Sequence, residues 1–357
     1  MNSQDLRKTL DDIDSRIVNL LAERIKKIRE AVEGVETGYD EHRDAARDEE
    51  MLKHVRSLAI KEGIDAEDAE RVFWQILNVS KKVGGPEVAF QGEDGSYGQE
   101  VALNFFGSSG RTRQCDTIDE VFRLVREGSV AHGIIPIENS QEGSVGRSYD
   151  LLLESDVMVC GEAQVRTSYC LVANKSANLS TIKKIYSHPQ ALAQCQAFLR
   201  HLGNELIPTY NTAASVKMIK EKKMSDSAAV AGEGAPFTFD MKVLAHEIED
   251  NPRNSTRFFV LGKHDSPPTG KDKTSISLLL KHEPGTVYRA VKQFADRGIN
   301  LTKVESRPTR KTEWEYNFYL DFEGHRQDQI IMEALTELEK VCLFLKVLGS
   351  YPRAKTP

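Results

Sequence analysis

Three short stretches place amide, hydroxyl and cationic side chains directly at the ends of apolar runs. After "GIIPI" come Glu138, Asn139 and Ser140. After "KIY" come Ser187, His188 and Gln190, with Gln194 one helical turn further on. In "NPRNSTRFFVLG" the pair Thr256 and Arg257 precedes the apolar run. Strand packing requires none of these groups. Taken singly, Ser and Asn at strand ends are caps or turn formers, Arg257 is a surface ion-pair partner and His188 a loop histidine. Taken together they suit a small anionic substrate, with a guanidinium for a carboxylate, amides for orientation and a hydroxyl for proton donation. The loop "GEDGSYG" (92–98) has Gly92, Gly95 and Gly98 for close backbone approach, and Ser96 or Tyr97 to reach a ligand. It is neither G-x-G-x-x-G nor a Walker A loop, which disfavours nucleotide binding. No metal-ligand spacing is present, and no G-x-S-x-G elbow accompanies His188 or His246.

These groups need elements to hold them. Residues 87–265 alternate strand and helix signals: "EVAFQG", "HGIIPIENS", "SYCLVA", "IKKIYSHPQ" and "AAVAGEGA", each running into a polar or glycine loop. Such α/β sheets bind ligands at the carboxyl ends of their strands. Residues 1–84 read as helical. Leu6, Leu10, Ile13, Ile17 and Leu20 form one apolar stripe, Met51, Val55 and Leu58 another, and Asp65 caps a third helix carrying Val72, Phe73, Ile76 and Leu77. Three such helices bury little alone, so the segment is expected to pair with a second copy. "VGGPE" (83–87) is a linker. Residues 272–350 give strand, helix, strand, strand, helix, strand, the ferredoxin-like order. Here Val287, Ala290, Val291 and Phe294 share one helix face, and the tail "RAKTP" is expected to be loose.

The chain has 357 residues, enough for two or three domains, and a net charge of −6 with both signs mixed. That balance offers no basic surface for nucleic acid. No apolar run is long enough to span a membrane, and the N-terminus has no secretory layout. Cys115, Cys160, Cys170, Cys195 and Cys342 are scattered without CxxC spacing. They read as buried, reduced thiols of a cytoplasmic protein.

"GIIPIENSQEGSV", "YSHPQALAQC" and "NSTRFFVLG", in this order, closely resemble the signatures of prephenate dehydratases. "PGTVYRAVKQFADRGINLTKVESRP" resembles an ACT regulatory domain of the phenylalanine-sensing kind, and the N-terminal helices resemble an all-helical chorismate mutase. The order is that of the fused mutase–dehydratases. The resemblance implies three domains: a helical one at 1–84, a two-lobed α/β domain like periplasmic binding proteins at 87–265, and an α+β ACT domain at 272–350. It implies loss of water and carbon dioxide from prephenate without a cofactor. Thr256 would be the proton donor, aided by Arg257 or a neighbouring donor. Asn139, Ser187 and Gln194 would line the pocket with Glu138 nearby; Thr212 in "NTAASVK" is a shorter match lacking an acidic residue often found there.

For the mutase, the resemblance assigns chorismate contacts to Arg7, Arg24, Asp44, Arg47 and Ser80, with interhelical salt bridges as the plainer alternative. It also expects a lysine and a glutamine aimed at the ether oxygen of the breaking bond. Those positions here are Val35 and Gly84. A weak or inactive mutase, retained for dimerisation, is therefore expected. The regulatory match places L-phenylalanine against Gly285, Thr286 and Val287 and against Glu305, Ser306, Arg307 and Pro308, at an interface between two such domains. A homodimer or tetramer follows. Three other readings stand beside this one: a bifunctional protein whose mutase is active, an arogenate preference, and a sensor that binds an aromatic ligand without turning it over.

Overall fold

The computed structural model describes residues 3–33, 41–73, 76, 86–106, 111–309 and 315–354, with side chains outside the description at 3–4, 28–33 and 41–49. In the N-terminal region Ser3–Glu33 and Glu41–Lys61 are helices, followed by a helical run over 66–73. Asp65 caps that run: its Oδ1 accepts from the amides of Glu67 at 2.9 Å and Asp68 at 3.0 Å. Val55 and Ala59 are buried. The stripe of the long helix is not, for Leu6, Leu10, Ile13, Ile17 and Leu20 are each 43–63% exposed within the single chain.

Two sheets build the central α/β region. The strands are β1 (Glu87–Gln91), β2 (Arg111–Cys115), β3 (His132–Asn139), β4 (Gly143–Ser144), β5 (Met158–Arg166), β6 (Cys170–Ala173), β7 (Lys184–Ser187), β8 (Glu205–Pro208), β9 (Ser227–Ala231), β10 (Lys242–Ala245) and β11 (Ser255–Gly262). The first lobe has the order β2-β1-β3-β11-β5, with β4 on β3; the second has β10-β6-β9-β7-β8. β11 therefore returns from the second lobe to lie antiparallel between β3 and β5. The chain crosses between lobes twice, and the crossings are tied together. Thr167 donates its amide to the Asn254 carbonyl, and Ile248 to that of Tyr169. The buried Glu249 carboxylate accepts from the Tyr169 amide at 2.9 Å and from Arg166 at 3.0 Å.

The C-terminal sheet comprises β12 (Asp272–Leu280), β13 (Leu301–Pro308), β14 (Tyr316–Glu323) and β15 (Cys342–Pro352), in the order β13-β14-β12-β15. One face packs on helices Thr286–Ala295 and Gln329–Glu339 through Ile276, Leu278, Phe294, Phe322, Ile331 and Leu338. The other face is also covered, because Tyr319, Leu348 and Tyr351 belong to the core of the first lobe. Gly349 allows this approach; a Cβ there would lie 2.0 Å from the Val159 carbonyl oxygen. The C-terminal tail is held one step further than its composition suggests. Arg353 pairs with Glu323 at 2.7 Å, and the Ala354 amide donates to Glu162 at 3.0 Å. Of the cysteines, Cys115, Cys170 and Cys195 are buried, whereas Cys160 and Cys342 are only partly so.

Candidate active site

Strand alternation decides which predicted groups meet. Thr256 pairs with Asn139 across β11 and β3, and Arg257 with Glu138. Successive side chains point to opposite faces, so one pair faces the crevice between the lobes and the other faces the C-terminal sheet.

On the crevice side the Asn139 amide is oriented by its own loop. Its Oδ1 accepts from the backbone amides of Gln141 at 3.0 Å and Glu142 at 3.1 Å. Nδ2 must then face the other way, where it donates to Thr256 Oγ1 and to Asn254 Oδ1, both at 2.9 Å. Thr167 shares a hydroxyl–hydroxyl bond of 2.9 Å with Thr256. Asn254 continues the chain of bonds, accepting from Ser140 Oγ at 3.2 Å and donating to Gln194 Oε1 at 3.0 Å. Gln194 in turn donates to Glu142 at 3.4 Å. Asn139, Thr167, Gln194 and Asn254 are all buried, while Thr256 stays partly open. A half-exposed hydroxyl is thus held by buried donors of fixed orientation. Such a group can give up a proton while its oxygen is stabilised from behind.

Two expectations for this site are corrected. Arg257 does not line the crevice. It bonds Glu162 at 2.7 Å and Asp321 at 2.5 Å, donates to the Tyr351 hydroxyl at 3.1 Å and lies over the Phe259 ring. Lys273 completes the cluster with Glu162 at 2.9 Å. Burial disfavours the charged guanidinium, yet the carboxylates of Asp321 and Glu162 and the Tyr351 oxygen raise its pKa above the ordinary value. Burial likewise works against the Asp321 carboxylate, but Arg257 holds it below the usual range. Glu138 also points away, to Lys303 of β13 at 2.7 Å. Both residues sit one position from a crevice residue, and the two-residue period turns them over.

The second lobe contributes strand ends. β7 runs parallel to β8 and to β9, and helices begin after them at Pro189, Thr212 and Gly234. The first two starts are capped, by His188 Nδ1 on the Gln190 amide and by the Asn211 side chain on that of Ala214. Ser187 is buried, its hydroxyl committed to the Val230 carbonyl at 2.6 Å. The "GEDGSYG" loop joins the lobes. Tyr97 donates to the Ser168 carbonyl, and Glu93 takes Lys217 and the Tyr210 hydroxyl, each at 3.0 Å. Burial opposes the Glu93 charge, but these two donors keep its carboxyl below the usual value.

Sequence reasoning missed Thr167, Asn254 and Glu142. Asn254 had a visible signal, standing two residues ahead of Thr256 in "NSTRF". Thr167 had none, because only the crossing between lobes brings "RTSYC" beside β11.

In the C-terminal unit a cavity of about 300 Å³ is lined by Leu280, His282, Thr286, Val287, Tyr316 and Phe318 among others. Gly285 precedes it with φ +81°, and Val287 is 44% exposed there instead of joining the helix's buried face. Glu305 and Arg307 lie on the half-buried side of β13, and Ser306 and Pro308 on its exposed side. In the helical region Arg7 is exposed, and the Arg24 guanidinium reaches Met51 Sδ at 3.8 Å. The side chains of Asp44 and Arg47, and all of Val35, Ser80 and Gly84, lie outside the described residues.

Residues 88–266 match the family model for prephenate dehydratase, residues 6–84 that for chorismate mutase type II and residues 274–340 that for the ACT domain. A bifunctional chorismate mutase/prephenate dehydratase of Stutzerimonas stutzeri is 37% identical over 357 residues, spanning 98% of this chain and 97% of the relative. The solved prephenate dehydratase of Arthrobacter aurescens, in complex with L-Phe, aligns with a TM-score of 0.69 at 31% identity, covering 75% of this chain and 90% of that one. A structure described as GqqA, a novel type of quorum quenching acylase, aligns with the same TM-score at 28% identity, covering 74% of this chain and 97% of that one.

Proposed function

Because the chain belongs to the bifunctional chorismate mutase/prephenate dehydratase family, we propose that it converts prephenate to phenylpyruvate, with Thr256 as proton donor. The observation that carries the role of Thr256 is its hydroxyl in the crevice, backed by the Asn139 amide at 2.9 Å. Breaking the bond to the ring carboxylate releases carbon dioxide. Its electron pair enters the ring, which becomes aromatic and expels the opposite hydroxyl. That hydroxyl takes the threonine proton and leaves as water, and the threonine regains a proton from solvent. Free threonine is a weak acid, so the transfer depends on stabilising its oxygen as the proton leaves. Asn139 and Thr167 are placed to do so. With Arg257 turned away, the start of the ten-residue helix at Thr212 is the better candidate to hold a carboxylate. One fold carries several chemistries, as the acylase-like neighbour illustrates; the reaction is therefore read from the site.

The working units are 1–84, 87–265 and 272–350. L-phenylalanine is proposed as feedback inhibitor, held in part by the cavity beside Thr286 and Val287, as the Arthrobacter relative is described with that amino acid bound. The exposed apolar stripe of Ser3–Glu33 is proposed to pair with a second copy. The cytoplasm, where unpaired cysteines stay reduced, is the proposed location.

One assay on purified protein tests the reading. Prephenate is supplied, with and without phenylalanine, and phenylpyruvate followed by its alkaline absorbance; arogenate is supplied separately and its product, phenylalanine, followed by chromatography. Prephenate bound but not turned over would favour the sensor. The same preparation given chorismate is expected to turn over at least about 10²–10³-fold more slowly than an ordinary mutase, since one missing donor at a developing charge costs that much and two are missing. Chorismate consumed at roughly 1–10³ per second would show that other groups replace the donors missing at Val35 and Gly84.

A further inference from the structure

The backs of the two catalytic strands are gripped by the C-terminal sheet. Glu138 is the chain neighbour of Asn139 and Arg257 that of Thr256; Lys303 holds the first at 2.7 Å and Asp321 the second at 2.5 Å. Lys303 also donates to Ser144 Oγ at 3.1 Å, so it ties β3 to the short β4 that closes the Asn139 loop. Both cationic partners on this face are nearly buried, with side-chain exposures of 9% for Lys303 and 15% for Arg257.

A second feature makes these grips matter. The β3–β11 register slips between Arg257 and Phe258, where Phe258 pairs with Pro136 and Ile137 is left over. A bulge of this kind bends the strand and increases its local twist. Pairing resumes beyond it, and the segment after the bend carries Asn139 opposite Thr256. The angle of that segment depends on its remaining neighbours, among which are the side chains that hold its other face.

We propose that Lys303 and Asp321 are positioning residues for the dehydration, acting through Glu138 and Arg257 on the contact between Asn139 and Thr256. The C-terminal sheet thereby has a direct mechanical hold on the catalytic hydroxyl. The inference rests on the dehydratase reading and on Thr256 as its proton donor.

The test is a charge exchange across one grip. Glu138→Lys and Lys303→Glu are made singly and together, with kcat and KM for prephenate and the thermal midpoint measured for each. Each single variant is expected to lose at least about tenfold in kcat with KM changed less than about threefold, and the pair together to recover kcat to within about threefold of the unaltered protein. If a single variant misfolds, Lys303→Met and Lys303→Arg replace it, with kcat lost in the first and largely kept in the second. Loss of kcat in Glu138→Lys that Lys303→Glu does not restore would mean that Glu138 meets the substrate itself, and the proposal fails. A lowered midpoint with unchanged kcat would reduce the grip to a stabilising contact, and the proposal fails again. Absence of prephenate turnover in the unaltered protein would overturn the dehydratase reading first, a result distinct from both.

Discussion

Thr256→Val should lower kcat for prephenate by about 10²–10⁴-fold, the usual contribution of a positioned acid, while prephenate binding changes little. Valine keeps the β-branched shape on the strand and puts a methyl group in place of the hydroxyl. In the unaltered protein that oxygen takes the Asn139 amide and the Thr167 hydroxyl at 2.9 Å each. The variant leaves the Asn139 Nδ2 with Asn254 as a remaining partner at 2.9 Å, so the loop should keep its form. The measurement is kcat and KM by phenylpyruvate formation, with equilibrium binding of prephenate to the variant beside it. Loss confined to kcat fits a group needed only as the leaving hydroxyl departs. A variant that binds and turns over like the parent removes Thr256 from the chemistry. Thr256→Ser keeps a hydroxyl and should retain most of the rate.

The polar clusters at strand mouths were legible because packing gives no reason for them. The region to which they belong, and the three-part order of the chain, could be read from pattern alone. Which face each residue takes could not, because adjacent residues in "EN" and "TR" are separated only by the pleat. The C-terminal sheet shows the same limit from the other side. "KTSISLLL" alternates polar and apolar, as a strand half open to water would. Yet Lys273, Ser275 and Ser277 are buried, because the first lobe covers that face; it supplies Glu162 to Lys273, while Ser275 bonds Asp321 and Tyr351 of its own sheet. Alternation reports polarity, and only the tertiary arrangement reveals whether the polar side meets solvent or another charge. The exposed stripe of the first helix is the converse case. Leu6, Leu10 and Ile13 have the spacing of a buried face, and the single chain leaves them uncovered.

Arg257→Met should cost about 3–5 kcal/mol of stability, because breaking a buried ion pair strands the remaining charge. Methionine keeps much of the length and apolar character over the Phe259 ring, where the guanidinium now lies. Glu162 would keep Lys273 at 2.9 Å, but Asp321 would be left with the Ser275 hydroxyl and no cation in direct contact. Its thermal midpoint is expected to drop on the order of 10 °C for a region of this size. The pH dependence gives the sharper signature. In the unaltered protein the Asp321 carboxyl sits below its ordinary value of 3.8. Its contribution is therefore complete above that value and is lost as pH falls through the lower, folded one. Without Arg257, burial, the largest influence on Asp321, is opposed only by the Ser275 hydroxyl and the more distant charge of Lys273, and it raises the pKa above that of the unfolded chain. The sign then reverses, and acidification neutralises the stranded group and narrows the gap between variant and parent. Midpoints recorded from pH 7 down to about 4.5 should converge, and Arg257→Met with Asp321→Asn should narrow the gap at pH 7. A constant gap would mean that Asp321 does not hold the stranded charge. Arg257→Lys should recover only part of the loss, since one ammonium cannot span Glu162, Asp321 and Tyr351 as the planar fork does.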